Sequence, residues 1–542
     1  MFKNIHSISS RTFVVLLSFY YLVVFNAPFF LKVKQGLILQ SDTNSLFVLS
    51  IPVLLFLLLF SLFSLFSVKY ITKPFFITLT MLSSLVFYAS MKYGVIFDRN
   101  MIQNIADTTQ AEALSYFNLN AIIYFILTGV FPCLLIFKAN ITYHALCKEL
   151  LNKLLYLVIS LVAIFIILGI FYQNYAAFGR NNDNLKRLII PSYAVASTIK
   201  YINNHYFSKP IPYQQLGADA VVINAKGTKP NLIVMVLGET ARAKNDAYFG
   251  YNRLTNAYTR KLGLLAFQNT SSCGTATAIS VPCMFSHLNR SDYALKKAQS
   301  QDTVLDVLSY AKINVQWFDN DSGCKGVCNK VKHEMIIKAQ FPKECTSASC
   351  FDEALLTPLK KALSEAKKQN IFIVLHLMGS HGPTYYLRYP KAFRQFIPDC
   401  QRSDIQNCSK QELINTYDNT ILYTDYILSK VVENIKQYNS TFNTGMLYMS
   451  DHGESLGEKG LYLHGAPYSL APNEQTHIPF LSWFSDTFYQ QNRLSQFCLE
   501  SVAEKGGFSH DNLFDSLLGI FNVKTKEYLA SKDIFSQCRV GI

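Results

Sequence analysis

The chain has 542 residues, a formal net charge of +14, and hydrophobic side chains at half of its positions. This length is too great for one ordinary domain, and the long apolar runs before residue 175 exclude a wholly soluble protein. No basic run with interleaved aromatic residues occurs, so we expect no nucleic acid partner. The positive charge is instead typical of a chain that works beside anionic lipid headgroups.

Five apolar stretches are long enough to cross a bilayer as helices. The first could be a cleaved signal peptide, but it has no clear small-residue cleavage site and four further stretches follow it. Lys and Arg residues collect at the ends on one side, which the positive-inside rule makes cytoplasmic. Five crossings then place everything after Tyr172 on the opposite face. The predicted spans are residues 12–31, 46–68, 74–93, 120–137 and 154–172.

The cysteines are divided unevenly, and only Cys133 and Cys147 of the 12 fall in the predicted membrane region. The other ten form an even, closely spaced set, which is typical of disulfides in an exported domain. Two of them, in a CxxxC motif, could supply half of a metal site, but no Cys or His pair with zinc-finger spacing matches them. We therefore expect an oxidising compartment such as a bacterial periplasm. The ten are Cys273, Cys283, Cys324, Cys328, Cys345, Cys350, Cys400, Cys408, Cys498 and Cys538.

After the last span the chain changes character twice. Residues 173–230 form a polar, Asn-rich connector, in which residues 194–207 predict an amphipathic helix that lies on the membrane or bridges to the next region. From Asn231 onward, short β-rich apolar runs alternate with helical segments, which predicts an α/β sheet covered by helices. The expected regions are a five-helix transmembrane domain over 1–172, a linker over 173–230 and an exported catalytic domain over 231–542.

Four predicted strands are each followed by polar residues suited to chemistry. The strands are NLIVMVLG, INVQWFD, NIFIVLHL and TGMLYMS, and the predicted helices include TVLDVLSYA, DEALLTPLKKALSEA and residues 412–437. At the strand ends come Glu239 and Thr240, then Asp319 with SGCKG, then HLMGSHGP, and then DHGE. Open α/β sheets bind ligands beyond the carboxyl ends of their strands, so we expect these residues to converge on one crevice.

Glu239, Asp451 and His452 are the candidate metal ligands. A carboxylate after one buried strand and an Asp–His pair after another provide the oxygen and imidazole ligands that zinc binds. A lone Asp–His pair is more often a turn or a helix cap. The pairing of the two strand ends is what favours a divalent cation here.

Thr277, in SCGTATAISVPCMFS (272–286), is the candidate nucleophile. The apolar run after it predicts that a helix begins there, so backbone N–H groups would face a phosphate at the Thr277 hydroxyl. A threonine hydroxyl needs a metal or a base to act at neutral pH, and the three ligands would leave a fourth zinc position for its oxygen. Thr275 and Ser280 are the nearest rivals, and Thr277 could instead be only a helix N-cap.

Two histidines and a lysine complete the candidate site. His381 in GSHGP and His464 in YLHG lie in Gly-rich loops, where each could protonate a leaving alkoxide, activate a second substrate, bind a second metal or be structural. Lys325, between two cysteines, is a candidate phosphate clamp because an exposed ammonium stays charged. His376 lies within a predicted strand, where a histidine is more often a satisfied core residue.

These motifs together resemble one family. LGETAR, SCGTATAISVPCMFS, DSGCKGV, MGSHGPTY, SDHGESLGE and YLHG, after five membrane helices, are similar to the lipid A phosphoethanolamine transferases of Gram-negative bacteria. DHGE alone would indicate only the wider alkaline phosphatase and sulfatase superfamily. The resemblance spans nearly the whole chain and implies an alkaline phosphatase/sulfatase-like sheet covered by helices. The implied zinc ligands are Glu239, Thr277, Asp451 and His452.

The resemblance also assigns roles to the remaining residues. It implies that Thr277 becomes phosphoethanolaminated, and that Lys325, His381 and His464 bind the phosphoethanolamine group or an additional zinc ion. The implied disulfides are Cys273–Cys283, Cys324–Cys328, Cys345–Cys350 and Cys400–Cys408. The pair Cys498–Cys538 is inferred only because those two cysteines remain.

The implied reaction is a ping-pong transfer. Thr277 attacks the phosphorus of phosphatidylethanolamine, diacylglycerol leaves, and a lipid A phosphate takes the group from the phosphothreonine. Because both substrates are membrane lipids, a tethered catalytic domain keeps their encounter local. In the family, masking of lipid A phosphate lowers susceptibility to polymyxin and other cationic peptides. We expect a monomeric, multi-pass enzyme of the Gram-negative inner membrane with its catalytic domain in the periplasm.

Three other interpretations stay open. The same chemistry could act on another acceptor, such as core heptose or a periplasmic glucan, or could transfer phosphoglycerol. A sulfatase-type hydrolase would need a modified Cys or Ser in a CxPxR-like motif, and CGTAT offers none. A transporter or lipid-binding scaffold is disfavoured because the membrane helices contain few charges.

Overall fold

The computed structural model describes residues 7–38, 44–108, 110–116, 118–182, 185–207, 209–223, 227–346 and 349–540. The chain forms two compact units. The first comprises Met1–Ile102 and Phe117–Phe207, and the second comprises Gln103–Tyr116 and Ser208–Ile542. The division between the units therefore falls inside the predicted linker, and a short segment between two predicted spans belongs to the second unit.

The first unit is built of helices. Four of them are long and apolar enough to cross a membrane, and a bent pair counts as a fifth span. Large apolar side chains point outward from these helices, as Phe165 does with 71% exposure, which is expected of helices surrounded by lipid. The prediction of a five-helix transmembrane domain is confirmed. The spans are Ser10–Phe25 with Ala27–Ile38, Ser45–Phe66, Thr72–Tyr93, Leu119–Lys138 and Leu146–Ile170.

The first span is bent by 58° between Phe25 and Ala27. The turn before the bend, Tyr21–Phe25, is π-helical, a local widening that often accompanies a kink. The buried Asn26 amide donates to the carbonyl groups of Tyr21 and Ile190 at 2.9 Å, and its oxygen accepts from the Ile190 N–H at 3.0 Å. The side chain of Asn26 therefore gives hydrogen-bond partners to backbone groups near the bend, which lie in an apolar environment.

Eleven α-helices are described in the first 207 residues. The α-helices are α1 (Ser10–Tyr20), α2 (Ala27–Ile38), α3 (Ser45–Phe66), α4 (Thr72–Tyr93), α5 (Arg99–Asp107), α6 (Gln110–Ser115), α7 (Leu119–Phe125), α8 (Phe131–Lys138), α9 (Leu146–Ile170), α10 (Tyr172–Asn181) and α11 (Ser192–Ile202). The strands β1 (Ile8–Ser9) and β2 (Ile141–Thr142) pair in parallel. The helix predicted over 194–207 is present as α11 and the π-helical turn Asn203–Phe207.

A seven-stranded mixed sheet forms the core of the second unit. The strands of this unit are β3 (Val221–Val222), β4 (Asn231–Gly238), β5 (Leu265–Ala266), β6 (Thr270–Ser271), β7 (Asn314–Asp319), β8 (Lys332–Met335), β9 (Ile371–His376), β10 (Asn443–Ser450), β11 (Ser455–Leu456), β12 (Tyr462–Leu463), β13 (His477–Ile478), β14 (Phe480–Phe484) and β15 (Val523–Lys524). The order in the sheet is β5-β14-β10-β4-β9-β7-β8. The strands from β10 to β8 run parallel, whereas β14 is antiparallel to both of its neighbours.

The central strands β4 and β10 are buried at every position, as expected for parallel strands covered on both faces. The four predicted strands match β4, β7, β9 and β10 within one residue at each end. The prediction of a sulfatase-like α/β sheet covered by helices is confirmed.

Helices surround this sheet. The α-helices are α12 (Thr277–Met284), α13 (Leu295–Gln299), α14 (Val304–Tyr310), α15 (Leu356–Ser364), α16 (Lys410–Lys436), α17 (Asn473–Thr476), α18 (Asp486–Gln491), α19 (Gln496–Lys505) and α20 (Leu513–Ile520). The longest, α16, begins with a capping box in which Ser409 and Glu412 bond each other's backbone N–H groups.

Candidate active site

The carboxyl ends of the central parallel strands lie side by side. Ser450, the last residue of β10, pairs with Gly238, the last residue of β4. The next residues along the chain are Glu239 after one strand, and Asp451 and His452 after the other. The in-register parallel pairing is therefore what brings the predicted ligands together.

Glu239, Asp451 and His452 form a buried cluster whose ligand atoms all lie within 4.8 Å of one another. Nε2 of His452 is 3.2 Å from Oδ2 of Asp451 and 3.6 Å from Oε1 of Glu239. Nδ1 of His452 lies 2.9 Å from the Gly453 carbonyl oxygen, so it carries the ring proton and the lone pair of Nε2 faces the carboxylates. Oδ2 of Asp451 is buried without a hydrogen-bond partner among the described residues. A divalent cation fits this arrangement.

The electrostatics of the cluster also favour a cation. Burial, and then the charge of Asp451, raise the pKa of Glu239 well above its ordinary value. Burial raises the pKa of Asp451, and burial followed by the nearby His464 lowers the pKa of His452 well below its ordinary value. A divalent cation would balance the two negative charges and bind the neutral imidazole. Two carboxylates and one imidazole are ligands that zinc accepts.

Thr277 places its hydroxyl against the same cluster. Its Oγ1 donates to Oε2 of Glu239 at 3.1 Å and lies 3.5 Å from Nε2 of His452. The residue is 5% exposed and is the first residue of α12, whose N-cap is Ala276. Thr277 is therefore not the N-cap of this helix, and its hydroxyl lies at the N-terminal end of α12, the end of a helix that favours an anion.

The two rival hydroxyls are held by backbone groups. The Thr275 hydroxyl donates to a backbone carbonyl at 2.6 Å. The Ser280 hydroxyl donates to the carbonyl of Asp451 and accepts from the N–H of Gly274 at 3.1 Å. Both hydroxyls fix the loop that carries Thr277, and neither is the group that faces the carboxylate of Glu239.

His381 and His464 lie next to the cluster. The ring centroids of His464 and His452 are 4.6 Å apart, and those of His464 and His381 are 5.6 Å apart. Nδ1 of His464 is 3.4 Å from Oε2 of the buried Glu454. Burial lowers the pKa of His381 well below its ordinary value, so this imidazole is neutral near pH 7. The structure thus brings both predicted histidines to the site.

Lys325 reaches the site from the loop after β7. Its Nζ donates to the hydroxyl of Ser322 at 2.7 Å and to the carbonyl of the same residue at 3.1 Å. Its charge also acts on an unusual carboxyl group: burial would raise the pKa of Asp321, but the charge of His376, with the Ser322 hydroxyl and Lys325, lowers it to about 2. Asp321 therefore stays ionised beside the predicted phosphate clamp.

Five disulfides are present, all in the second unit. They are Cys273–Cys283, Cys324–Cys328, Cys345–Cys350, Cys400–Cys408 and Cys498–Cys538. These are the pairs that the resemblance and the two remaining cysteines imply, and Cys133 and Cys147 are free thiols. The first disulfide closes the loop that ends in α12, and the second closes the loop that presents Lys325.

Comparison with known proteins explains this geometry. The sequence model of the phosphoethanolamine transferase EptA/EptB family matches residues 55–206, and that of the sulfatase family matches residues 231–523. Phosphoethanolamine transferase EptA of Escherichia coli (strain K12) is 38% identical over 538 residues, which cover 98% of this chain and 98% of that protein. This chain belongs to the phosphoethanolamine transferase family.

Two further relatives of the transferase bear on its substrates and shape. Phosphatidylethanolamine transferase Mcr-1 of Escherichia coli is 34% identical over 533 residues, covering 95% of this chain and 96% of that protein. The solved integral membrane lipooligosaccharide phosphoethanolamine transferase A (EptA) from Neisseria meningitidis matches with a TM-score of 0.95 at 35% identity, covering 98% of this chain and 100% of that one. The predicted family is therefore confirmed over the whole length.

Sequence reasoning missed one histidine of the transferase site. Nδ1 of His376, the last residue of β9, donates to Oδ2 of Asp319 at 2.8 Å, but its Nε2 has no partner among the described residues. One of its ring nitrogens groups with carboxylate oxygens of Glu239 and Asp321 within 4.8 Å. Burial would lower the pKa of His376, but Asp319 raises it to about 9. A core histidine with its hydrogen bonds satisfied was expected here, and this expectation is wrong for Nε2. The position of His376 at the end of a strand was the sequence signal that could have indicated a site residue.

Proposed function

We propose that this transferase moves phosphoethanolamine from phosphatidylethanolamine to a phosphate of lipid A, with Thr277 as the nucleophile. The observation that carries the proposal is the Thr277 hydroxyl, 3.1 Å from the Glu239 carboxylate within a buried cluster of metal-ligating groups. The donor named for Mcr-1 and the lipooligosaccharide named for the meningococcal enzyme support the two substrates. Lipid A is the membrane anchor of such saccharides.

The cluster would hold zinc through Glu239, Asp451 and His452, with the Thr277 oxygen as the fourth ligand. When bound there, the ion would lower the pKa of the threonine hydroxyl and offset negative charge on the phosphoryl group. A second ion would find its ligands in His381 and His464. These assignments rest on the donor set, on the orphaned Asp451 oxygen and on the lone pair of His452 that faces it.

In the first half-reaction, Thr277 Oγ1 attacks the phosphorus of the donor. A bond forms between that oxygen and phosphorus, the bond between phosphorus and the diacylglycerol oxygen breaks, and the threonine proton leaves along the hydrogen bond to Glu239. The leaving alkoxide takes up this proton, relayed through the imidazole of His381 or His464, which accepts a proton on one nitrogen as it gives one from the other. The ammonium group of Lys325 and the N–H groups at the start of α12 balance the charge on the phosphoryl oxygens.

In the second half-reaction, an oxygen of the lipid A phosphate attacks the phosphothreonine. A new bond forms between that oxygen and phosphorus, the bond to Thr277 breaks, and the threonine oxygen takes the proton of the lipid A phosphate through Glu239. The added ethanolamine carries a positive charge, so the modified lipid A attracts cationic peptides less. Lower susceptibility to polymyxin follows from this charge change.

The same proposal places the chain in the inner membrane of a Gram-negative bacterium, with the second unit in the periplasm. Four helices that can cross a membrane, a bent pair that can form a fifth span, and five disulfides in the second unit support this placement. In that location, both lipid substrates are within reach of a tethered site.

The test is expression of the chain in a polymyxin-sensitive Gram-negative host, followed by mass spectrometry of extracted lipid A. We expect one added phosphoethanolamine with the natural chain and none with Thr277→Ala. Thr277→Ser is the matched control, because it keeps the hydroxyl and should retain measurable transfer. Unmodified lipid A from well-expressed natural chain would refute lipid A as acceptor, and a phosphoethanolamine found on core heptose or a glucan would identify the alternative.

A further inference from the structure

A polar cavity of about 230 Å³ lies between the ends of three helices in the first unit. Its walls come from the start of α1, the last turn of α3 and the first turns of α9. In the proposed orientation this end of the helices is cytoplasmic, so the cavity faces the leaflet that the transfer reaction does not use. Polar side chains that line a cavity at the end of an apolar helix bundle form a candidate binding site.

The carboxylate on the cavity wall already has its partners. Glu149 is 7% exposed, and its Oε1 accepts from the Ser10 hydroxyl at 2.6 Å while its Oε2 accepts from the His144 N–H at 3.0 Å. The Lys153 ammonium lies 3.9 Å from the same carboxylate and donates to the backbone carbonyl of Ser67. Glu149 is therefore a bridge between α1 and α9, with little capacity left for a cationic ligand.

Donors on the other walls lack acceptors. The Ser67 side chain is 1% exposed, and its hydroxyl has no hydrogen-bond partner among the described residues. The Arg11 guanidinium stacks 4.6 Å from the ring centroid of Tyr156, yet in the described part of the chain no carboxylate or carbonyl bonds to it. The amide of Asn152 likewise has no partner within the described ranges. The Ser67 oxygen is closed off from the cavity, whereas the Arg11 guanidinium is exposed and the Asn152 amide is half-buried, so these last two are the donors that a ligand with acceptor oxygens can reach.

The charge on the cavity wall and the position of the cavity beside the membrane determine which class of ligand fits it. Arg11 and Lys153 against Glu149 leave one net positive charge on the wall, and a phosphodiester carries one negative charge. Val14 and Phe60 form an apolar side of the cavity, and exposed leucines such as Leu155 continue along α9 into the membrane region. An amphiphile with a phosphodiester headgroup matches both halves of this surface.

We propose that the cavity binds the phosphodiester of an anionic phospholipid of the cytoplasmic leaflet, of the phosphatidylglycerol type. The Arg11 guanidinium and the Asn152 amide donate to its phosphate oxygens. A zwitterionic lipid is disfavoured, because both oxygens of the Glu149 carboxylate are engaged and offer its ammonium no acceptor. This site is separate from the proposed transfer of phosphoethanolamine and does not depend on it.

The test measures lipid binding by the full-length protein, purified in mild detergent and stripped of lipid. Native mass spectrometry with short-chain phosphatidylglycerol should show one bound molecule, and Arg11→Gln and Asn152→Leu should each weaken binding at least about tenfold. Lys69→Gln is the matched control, since Lys69 lies at the same end of the bundle outside the cavity, and it should bind as the natural chain does. Equal binding by the natural chain and both cavity variants would overturn the proposal.

Two further probes distinguish the source of the phosphate. Short-chain phosphatidylcholine should bind at least about tenfold more weakly, and inorganic phosphate at the same concentration should neither raise the melting temperature nor displace the lipid. Equal effects of either probe would overturn the assignment to an anionic lipid.

Discussion

His510 joins the loop that carries Thr277 to the strand that ends at the metal ligands. Its ring is 1% exposed; Nδ1 accepts from the N–H of Cys273 at 3.1 Å, and Nε2 donates to the carbonyl of Ser450 at 2.9 Å. Only the neutral ring with its proton on Nε2 can make both bonds. Burial accordingly lowers the pKa of His510 to about 4.

This shift gives His510 a defined effect on stability against pH. The unfolded chain has a histidine pKa near 6.5, so below that pH the unfolded state binds a proton that the folded state does not. Well above pH 6.5, the contribution of His510 to the free energy of unfolding is constant. It is smaller by about 1.4 kcal/mol at pH 5.5 and by about 3 kcal/mol at pH 4. His510→Gln can keep both hydrogen bonds without titrating. We expect its melting temperature to fall less than that of the natural chain between pH 7.5 and 5.5, and parallel curves would contradict this.

The chemistry of single residues was predictable where the sequence placed them at strand or helix ends. Glu239, Asp451 and His452 directly follow buried strands, and Thr277 precedes an apolar run that forms a helix. Asp321 could not be singled out in the same way, because its role depends on an imidazole from another part of the chain. Three-dimensional neighbours of this kind leave no local pattern in a single sequence.

At the scale of elements, helix α16 supports the segment that follows the Glu239 strand. Oδ2 of its buried Asp425 accepts from the N–H groups of Tyr258 at 2.7 Å and Thr259 at 3.2 Å, and Oδ1 accepts from the Thr259 hydroxyl. One carboxylate thus satisfies three donors of a segment that has no regular secondary structure. The capping box at Ser409 fixes where this helix begins.

Asp425→Ala should therefore destabilise the protein strongly. It leaves three donors without an acceptor, and we expect a loss of about 2–4 kcal/mol in the free energy of unfolding, measured by chemical denaturation. Glu433→Ala on the same helix is the matched control. Its ion pair with Lys430 is solvent-exposed, so its removal should cost less than about 0.5 kcal/mol. Equal losses in the two variants would show that Asp425 does not hold the segment.

The central elements of the sheet could be predicted because parallel strands buried on both faces are continuous apolar runs. The edge could not: β5 and β8 have two and four residues, and β8 (KHEM) is mostly exposed and polar. The first membrane helix shows the same limit. Its apolar run predicted one span over 12–31, whereas Asn26 allows a bend and a second helix that continues to Ile38.

At the scale of the whole molecule, the proposed zinc links stability to activity. Glu239 and Asp451 are buried carboxylates without a Lys or Arg partner among the described residues, and a bound ion would balance their charge. We expect a strong chelator to abolish transfer and to lower the melting temperature by several degrees. Zinc should restore both, and magnesium should not. Full transfer by protein shown to hold less than about a tenth of a zinc per chain would contradict the metal site.

The tether between the two units is the last feature that this chemistry explains. A bilayer-anchored site meets lipid substrates at a high effective concentration, an advantage that a soluble site lacks. We expect residues 209–540, expressed alone in the periplasm, to transfer from a water-soluble short-chain phosphatidylethanolamine but to modify lipid A in cells at least about a hundredfold less than the full chain. Because Gln103–Tyr116 belongs to the second unit, the control co-expresses residues 1–208 as a separate chain. Recovery of lipid A modification there would mean that the membrane segment completes the catalytic unit, whereas continued loss would leave covalent tethering as the cause.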